Sequence, residues 1–163
     1  DDPPDYWLTE ISGIPFGLMG EMLEGGGNRW RGMLYGMTAR MPWCKDPKPI
    51  WRLWDDFGIS EATMLGYWEP SCPVRTDHKD VLATAYVKRG KTLISLASWA
   101  KEPVPCHLTV DWKAVGLRPD KAGLTAPPVE GFQQAASFKP SDAIPVQPGR
   151  GWMLVLEETK EKP

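Results

Sequence analysis

The chain has 163 residues, of which 42% are apolar and 25% charged, and 19 basic against 21 acidic side chains leave a net charge of −2. That length holds one ordinary domain or one and a half small ones, which excludes a large multidomain enzyme, and the composition is globular rather than disordered or fibrous. A near-zero charge without strong segregation removes the counterion-release force that drives nucleic-acid binding, and no apolar run approaches the roughly 20 residues of a membrane span.

In chain order, Asp1-Asp2-Pro3-Pro4-Asp5 suits neither a helix interior nor a central strand and reads as an exposed arm. Ile14, Leu18 and Met22 fall at helical spacing, with Pro15 in the first turn and Gly25 to Gly27 as a stop, so a short amphipathic helix is expected over Ile14 to Glu24. Arg29 to Met37 carries aromatic and aliphatic residues and no charge after Arg31, the pattern of a buried strand; Gly32 and Gly36 weigh against a helix there. Pro47 to Gly58 opens on proline, closes on glycine, and lines up Ile50, Leu53, Trp54 and Phe57 on one stripe, so a helix is expected.

After Gly58 the pattern changes. Thr63 to Trp68, Val81 to Lys88, Lys91 to Trp99, Cys106 to Trp112 and Gly151 to Glu157 are short, rich in β-branched and aromatic residues, and bounded by Pro, Gly or Asp. Arg89-Gly90 between the second and third of these predicts a tight antiparallel hairpin. Leu108 and Val110 alternate with Thr109 and Asp111, the period of a half-buried strand. Prolines interrupt Thr125 to Val129, Gly131 to Ser137 and Ile144 to Val146, which read as edge strands or loops. The fold class is therefore mainly β (α+β): an antiparallel β-sandwich of about seven or eight strands over 60–158, a polar tail at 159–163, and strand-helix texture over 1–59 that is too short for a complete α/β domain. That last feature leads us to expect missing upstream sequence.

Two further features stand out. Sixteen glycines and 17 prolines make up about a fifth of the chain, above the roughly 12% of average usage, which favours short strands and many turns. Nine tryptophans supply broad rigid faces of the kind that stack on sugar rings or fill a core. Cys44, Cys72 and Cys106 have no CxxC spacing and no His or Cys partner set, so no metal site is expected; one disulfide with a spare thiol, or three thiols, are both open.

The stretch WLTEISGIPFGLMGEMLEGGGNRWRGMLYGMTARMPWCKDPKPIWRLWDDFGI, Trp7 to Ile59, resembles the closing part of the catalytic barrel of glycoside hydrolase family 123-like proteins. GYWEPSCPV, VLATAYVKRGKTLISLASWA, VDWKAVGL and GWMLVLEE resemble the antiparallel sandwich that ends them. The resemblance implies a (β/α)-barrel glycosidase with β-sandwich appendages and retaining chemistry assisted by the substrate's acetamido group; no cofactor is expected. It also implies an extracellular, periplasmic or lumenal setting. Such chemistry needs an adjacent carboxylate pair, which in the family lies in an earlier barrel strand; no matching Asp-Glu dipeptide occurs here, so no catalytic residue carries over.

Candidate chemistry is correspondingly thin. Glu10 stands in a segment that reads as a barrel strand end and is the weak catalytic candidate; a surface carboxylate is the plainer reading. Asp55 and Asp56 are adjacent on a helix and point about 100° apart, so they cannot act jointly on one bond. Tyr35, Arg40, Trp43 and Trp68 are the candidate carbohydrate-binding residues, because a guanidinium fork holds hydroxyls or carboxylates and an aromatic ring stacks on a pyranose. Gly25-Gly26-Gly27-Asn28 lacks the ending of a phosphate loop. His78 and His107 have no nucleophile at an informative spacing. Taken together, the sequence describes the C-terminal accessory part of a glycoside hydrolase-like protein without its carboxylate pair. Its expected partner is the upstream portion of the same protein or a larger assembly, because the apolar faces of Leu18, Met22, Leu34, Trp51 and Trp54 need cover. A structural subunit of a larger assembly and a carbohydrate-binding sandwich module are the alternatives, and an autonomous hydrolase using Glu10 is a third.

Overall fold

A computed structural model describes residues 28–37 and 46–160. Helix α1 spans Arg29–Met33 and α2 spans Lys48–Phe57, followed by a 3-10 turn at Ile59–Glu61. The strands are β1 (Thr63–Leu65), β2 (Val74–Thr76), β3 (Val81–Lys88), β4 (Lys91–Ser98), β5 (Val104–Cys106), β6 (Leu108–Val110), β7 (Ala122–Ala126), β8 (Ala136–Phe138), β9 (Ile144–Val146) and β10 (Gly151–Glu158), with helix α3 (Trp112–Val115) between β6 and β7. A six-stranded antiparallel sheet has the order β1-β3-β4-β10-β7-β8, and β2-β6 and β5-β9 form separate two-stranded ribbons.

The period-two pattern of the central strands explains the layering. Val81, Ala83 and Ala85 of β3, Ile94 and Leu96 of β4, and Leu154 and Leu156 of β10 point to one face and meet Val74, Val104, Cys106, Ile144 and Val146 of the ribbons in one buried cluster. This is the expected sandwich, with the second layer split into two ribbons. The alternate residues Tyr86, Leu93, Met153 and Val155 point to the other face and pack against Met33 of α1 and Ile50, Leu53 and Phe57 of α2. The sheet is thus covered on both sides.

The Pro47-to-Gly58 helix forms as its punctuation predicts. Gly58 closes it in the left-handed region at φ 81°, donating its N–H to the carbonyls of Trp54 and Asp55. The hairpin forms too: Lys88 pairs with Lys91 across Arg89-Gly90, and Gly90 takes φ 78°. The helix expected over Ile14 to Glu24 lies outside the described residues.

Three local expectations are corrected. Arg29 to Met37 is not a strand but a helix and turn: the Asn28 side chain accepts the Arg31 N–H at its start, and Gly36 turns the chain out at φ 75°. Its apolar character reflects burial of Met33, Leu34 and Met37 from a helix rather than from a sheet. Cys106 to Trp112 is not one strand, because the chain switches partner at His107, from β9 to β2, and Asp111 then caps α3 by accepting the Ala114 N–H at 3.1 Å. Of the three proline-interrupted segments, the second and third are the loop and edge strands expected, whereas the first is corrected: β7 lies inside the sheet between β10 and β8 and ends before Pro127-Pro128.

The two described cysteines are free and buried. Burial in the core, with the Asp77 charge nearby, pushes the Cys106 thiol up to about 12, whereas an unfolded cysteine ionises near roughly 8.5. The folded state therefore favours the neutral thiol, and this contribution to stability is whole below about pH 8.5 and is lost as pH rises from there towards 12. Cys106 should resist alkylation at pH 8 and react once denaturant is added; equal rates in both states would contradict the burial.

Candidate functional site

Two places on the described surface gather the residue types that bind or transform ligands. The first is an aromatic cluster beside α1. Tyr35 and Trp68 stack with ring centroids 5.8 Å apart and planes 14° apart, and Tyr67 meets both edge-on. The Tyr35 and Tyr67 hydroxyls are 3.2 Å apart. Tyr35 is buried and Trp68 half-buried, with the indole packed so closely on Gly66 that a Cβ there would lie 2.4 Å from it. Of the four candidate carbohydrate-binding residues, the fold therefore brings Tyr35 and Trp68 together, while Arg40 and Trp43, like Glu10, lie outside the described residues.

Beside the cluster, the Arg31 guanidinium lies 4.6 Å above the Trp99 ring and donates to the Ser98 carbonyl from Nε and Nη2 at 3.3 and 3.2 Å. Burial lowers its pKa from the ordinary arginine value, but an arginine stays cationic under any physiological condition. The same helix is tied down along its length. Asn28 donates to the Gly149 carbonyl at 2.6 Å, Arg29 to Gly131 at 2.5 Å, Thr84 Oγ1 to Leu34 at 2.8 Å and Tyr86 Oη to Met33 at 2.6 Å. These are ties between a short N-terminal segment and backbone or side-chain groups far along the chain.

The second place is an open cleft of about 1080 Å³ between α1, the loop 127–135 and the start of β10. Sequence reasoning missed it, because Trp30 and Arg150 are far apart in the chain and carry no local motif. Trp30 stacks on Phe132 at 4.6 Å and 19°, the Arg150 guanidinium lies 5.1 Å from the Trp30 ring, and the Arg29 guanidinium lies 5.2 Å from Phe132. The loop is set by Gln133, whose side-chain amide donates to the Met153 carbonyl at 3.0 Å and accepts the Met153 N–H at 2.8 Å, in effect supplying a ladder rung to β10. Trp152 is held by its Nε1–H on the Pro145 carbonyl at 2.7 Å and by Phe138, edge-on at 5.7 Å.

A catalytic constellation is not among these groups. A glycosidase general acid is kept protonated by burial or by a neighbouring carboxylate, yet no Asp or Glu among the described residues is buried. Asp55 and Asp56 are exposed on α2. Pairing of β2 with β6 does bring His107 Nδ1 to 3.0 Å from Asp77 Oδ2, a dyad across 30 residues. The His107 backbone N–H bonded to the carboxylate is the main cause holding the Asp77 pKa below its usual value. The adjacent Cys106 is no nucleophile for that dyad, because a reactive thiol has a depressed pKa and this one is raised and faces the core. His78 Nδ1 accepts the Asp80 N–H within the Asp77-His78-Lys79-Asp80 segment. No group of three metal-ligating side chains occurs among the described residues, and no described helix is long and apolar enough to cross a membrane.

No curated protein and no solved structure matches the chain. Family models do: residues 1–42 match the glycoside hydrolase 123 TIM-barrel domain, which places α1 at the end of the barrel match. Residues 46–157 match the glycoside hydrolase 123 C-terminal domain, so the helix α2 and the covered six-stranded sheet are that domain, and the chain belongs to the glycoside hydrolase 123 family.

Proposed function

We propose that this chain is an accessory, non-catalytic part of a glycoside hydrolase-like protein, in which the C-terminal β-domain holds the end of the catalytic barrel in place. The observation that carries this reading is the fastening of α1. A helix of five residues has no stability of its own, yet the Met33 and Leu34 carbonyls, the Asn28 cap and the two arginines are bonded to the β-domain or stacked on its rings. A barrel typically takes about 250 residues, so the 42 matched ones are its finishing piece, and its completion by upstream sequence of the same protein is the partner proposed here. The acid pair would then reside in that partner. Tyr35, Tyr67 and Trp68 act in this reading as packing at the domain seam, and a subunit role in a larger assembly uses the same seam.

Incubation of the purified chain with an aryl N-acetylhexosaminide tests the proposal. The expected result is no release of the aryl alcohol above the buffer rate. Turnover that disappears in Glu10→Gln would overturn it and establish an autonomous hydrolase.

A further inference from the structure

The cleft beside α1 has the composition of a ligand site. The geometry points to a binding site for a saccharide bearing a single carboxylate, with Arg150 holding the acid group and Trp152 the sugar face. The site goes beyond the accessory role while resting on it, since it lies where the barrel-matched segment meets the C-terminal domain.

Arg150 is the anchor. Its side chain is exposed, lines the cleft and forms no ion pair with any described residue, and its guanidinium, with five N–H donors, lies 5.1 Å from the Trp30 ring. Its backbone is fixed: the N–H donates to the Gln147 carbonyl at 3.0 Å, and the carbonyl accepts the Ser98 N–H at 2.8 Å. A planar guanidinium held in this way matches a carboxylate bidentately. Trp152, half-buried and held at both its nitrogen and its edge, offers a fixed face of the kind on which pyranose rings stack. Gln147 adds an amide for hydroxyls on the same wall.

Glu130 lines the same cleft. It accepts from hydroxyls but repels a second negative charge, which restricts the ligand to one acid group and disfavours polyanions such as sulfated chains. The volume, just above the roughly 300–1,000 Å³ of ordinary sites, has room for more than one ring.

The test is titration of the full chain with 3′-sialyllactose, which carries one carboxylate, against lactose, its neutral core, followed through the indole N–H signals of Trp30 and Trp152 by NMR. Saturable shifts at both indoles with sialyllactose are expected, with lactose weaker by roughly tenfold or more. Arg150→Ala should abolish that preference while leaving the signals of the strand core in place, and Gln147→Ala, a milder exposed change, should weaken binding without altering the acid preference. The site is overturned by an absence of saturable shifts at millimolar ligand, by equal affinity for the two sugars, by an Arg150→Ala chain that binds as the parent does, or by stronger saturation with an acidic peptide than with the sugar acid. None of these readouts involves turnover, so failure here is distinct from failure of the accessory role.

Discussion

Replacing Gly151 by alanine should lower the stability of the chain by about 3 kcal/mol or more, although the added group is one methyl. Gly151 opens β10 opposite Ala97 of β4, and a Cβ built on it would lie 1.7 Å from the Leu96 carbonyl oxygen and 2.6 Å from its carbonyl carbon. Both obstacles are backbone of a buried central strand, so no side-chain rotation relieves the overlap. The strands must separate locally, which disturbs the β4-β10 pairing and the turn that carries Arg150. At about 2–4 °C per kcal/mol for a chain of this size, the melting temperature should fall by roughly 6–12 °C. A Gly151→Ala chain that melts within a degree of the parent would show that the two strands do not approach this closely.

Met33→Ala should have a comparable cost but a different distribution. Met33 is only 1% exposed and packs among Ile50, Phe57, Leu93, Met153 and Val155, so truncation removes buried area and leaves a void, typically about 2–5 kcal/mol. The loss should fall on the docking of α1, because five helical residues cannot persist once their anchor is gone. Trypsin should then cut after Arg29 and Arg31 much faster than in the parent, while amide protection in β4 and β10 is kept. If protection collapsed everywhere at once, α1 and the β-domain would form one cooperative unit, and the proposal of a separately docked barrel end would need revision.

Much of this architecture is legible in the residues, for reasons that can be named. β3 and β4 are visible because alternation and a glycine turn act locally, and α2 because proline, an apolar stripe and glycine occur in the order a helix requires. The misreading of Arg29 to Met37 has a physical origin: a helix buried on several sides loses its polar stripe, and without that stripe it cannot be told from a buried strand. The ribbons β2-β6 and β5-β9 are three residues per strand, too short for periodicity to register. Tyr35 and Trp68 are each recognisable as ring platforms and stack in the fold, but the Trp30-Arg150 contact depends on closure across 120 residues, which no local pattern encodes. The sequence holds no Asp-Glu dipeptide, and the described residues include no buried carboxylate to replace it.

The six-stranded sheet ends on β1 at one side and β8 at the other, each only three residues long. A short border offers a passing chain few free N–H and C=O groups, too few to nucleate the addition of another strand. The long, strongly apolar strands β4 and β10, which would be the hazardous ones if bared, sit inside the sheet with neighbours on both sides. Fibril growth by strand addition therefore has no ready starting point on this domain, and a concentrated solution should remain free of cross-β deposits until the sheet itself is opened.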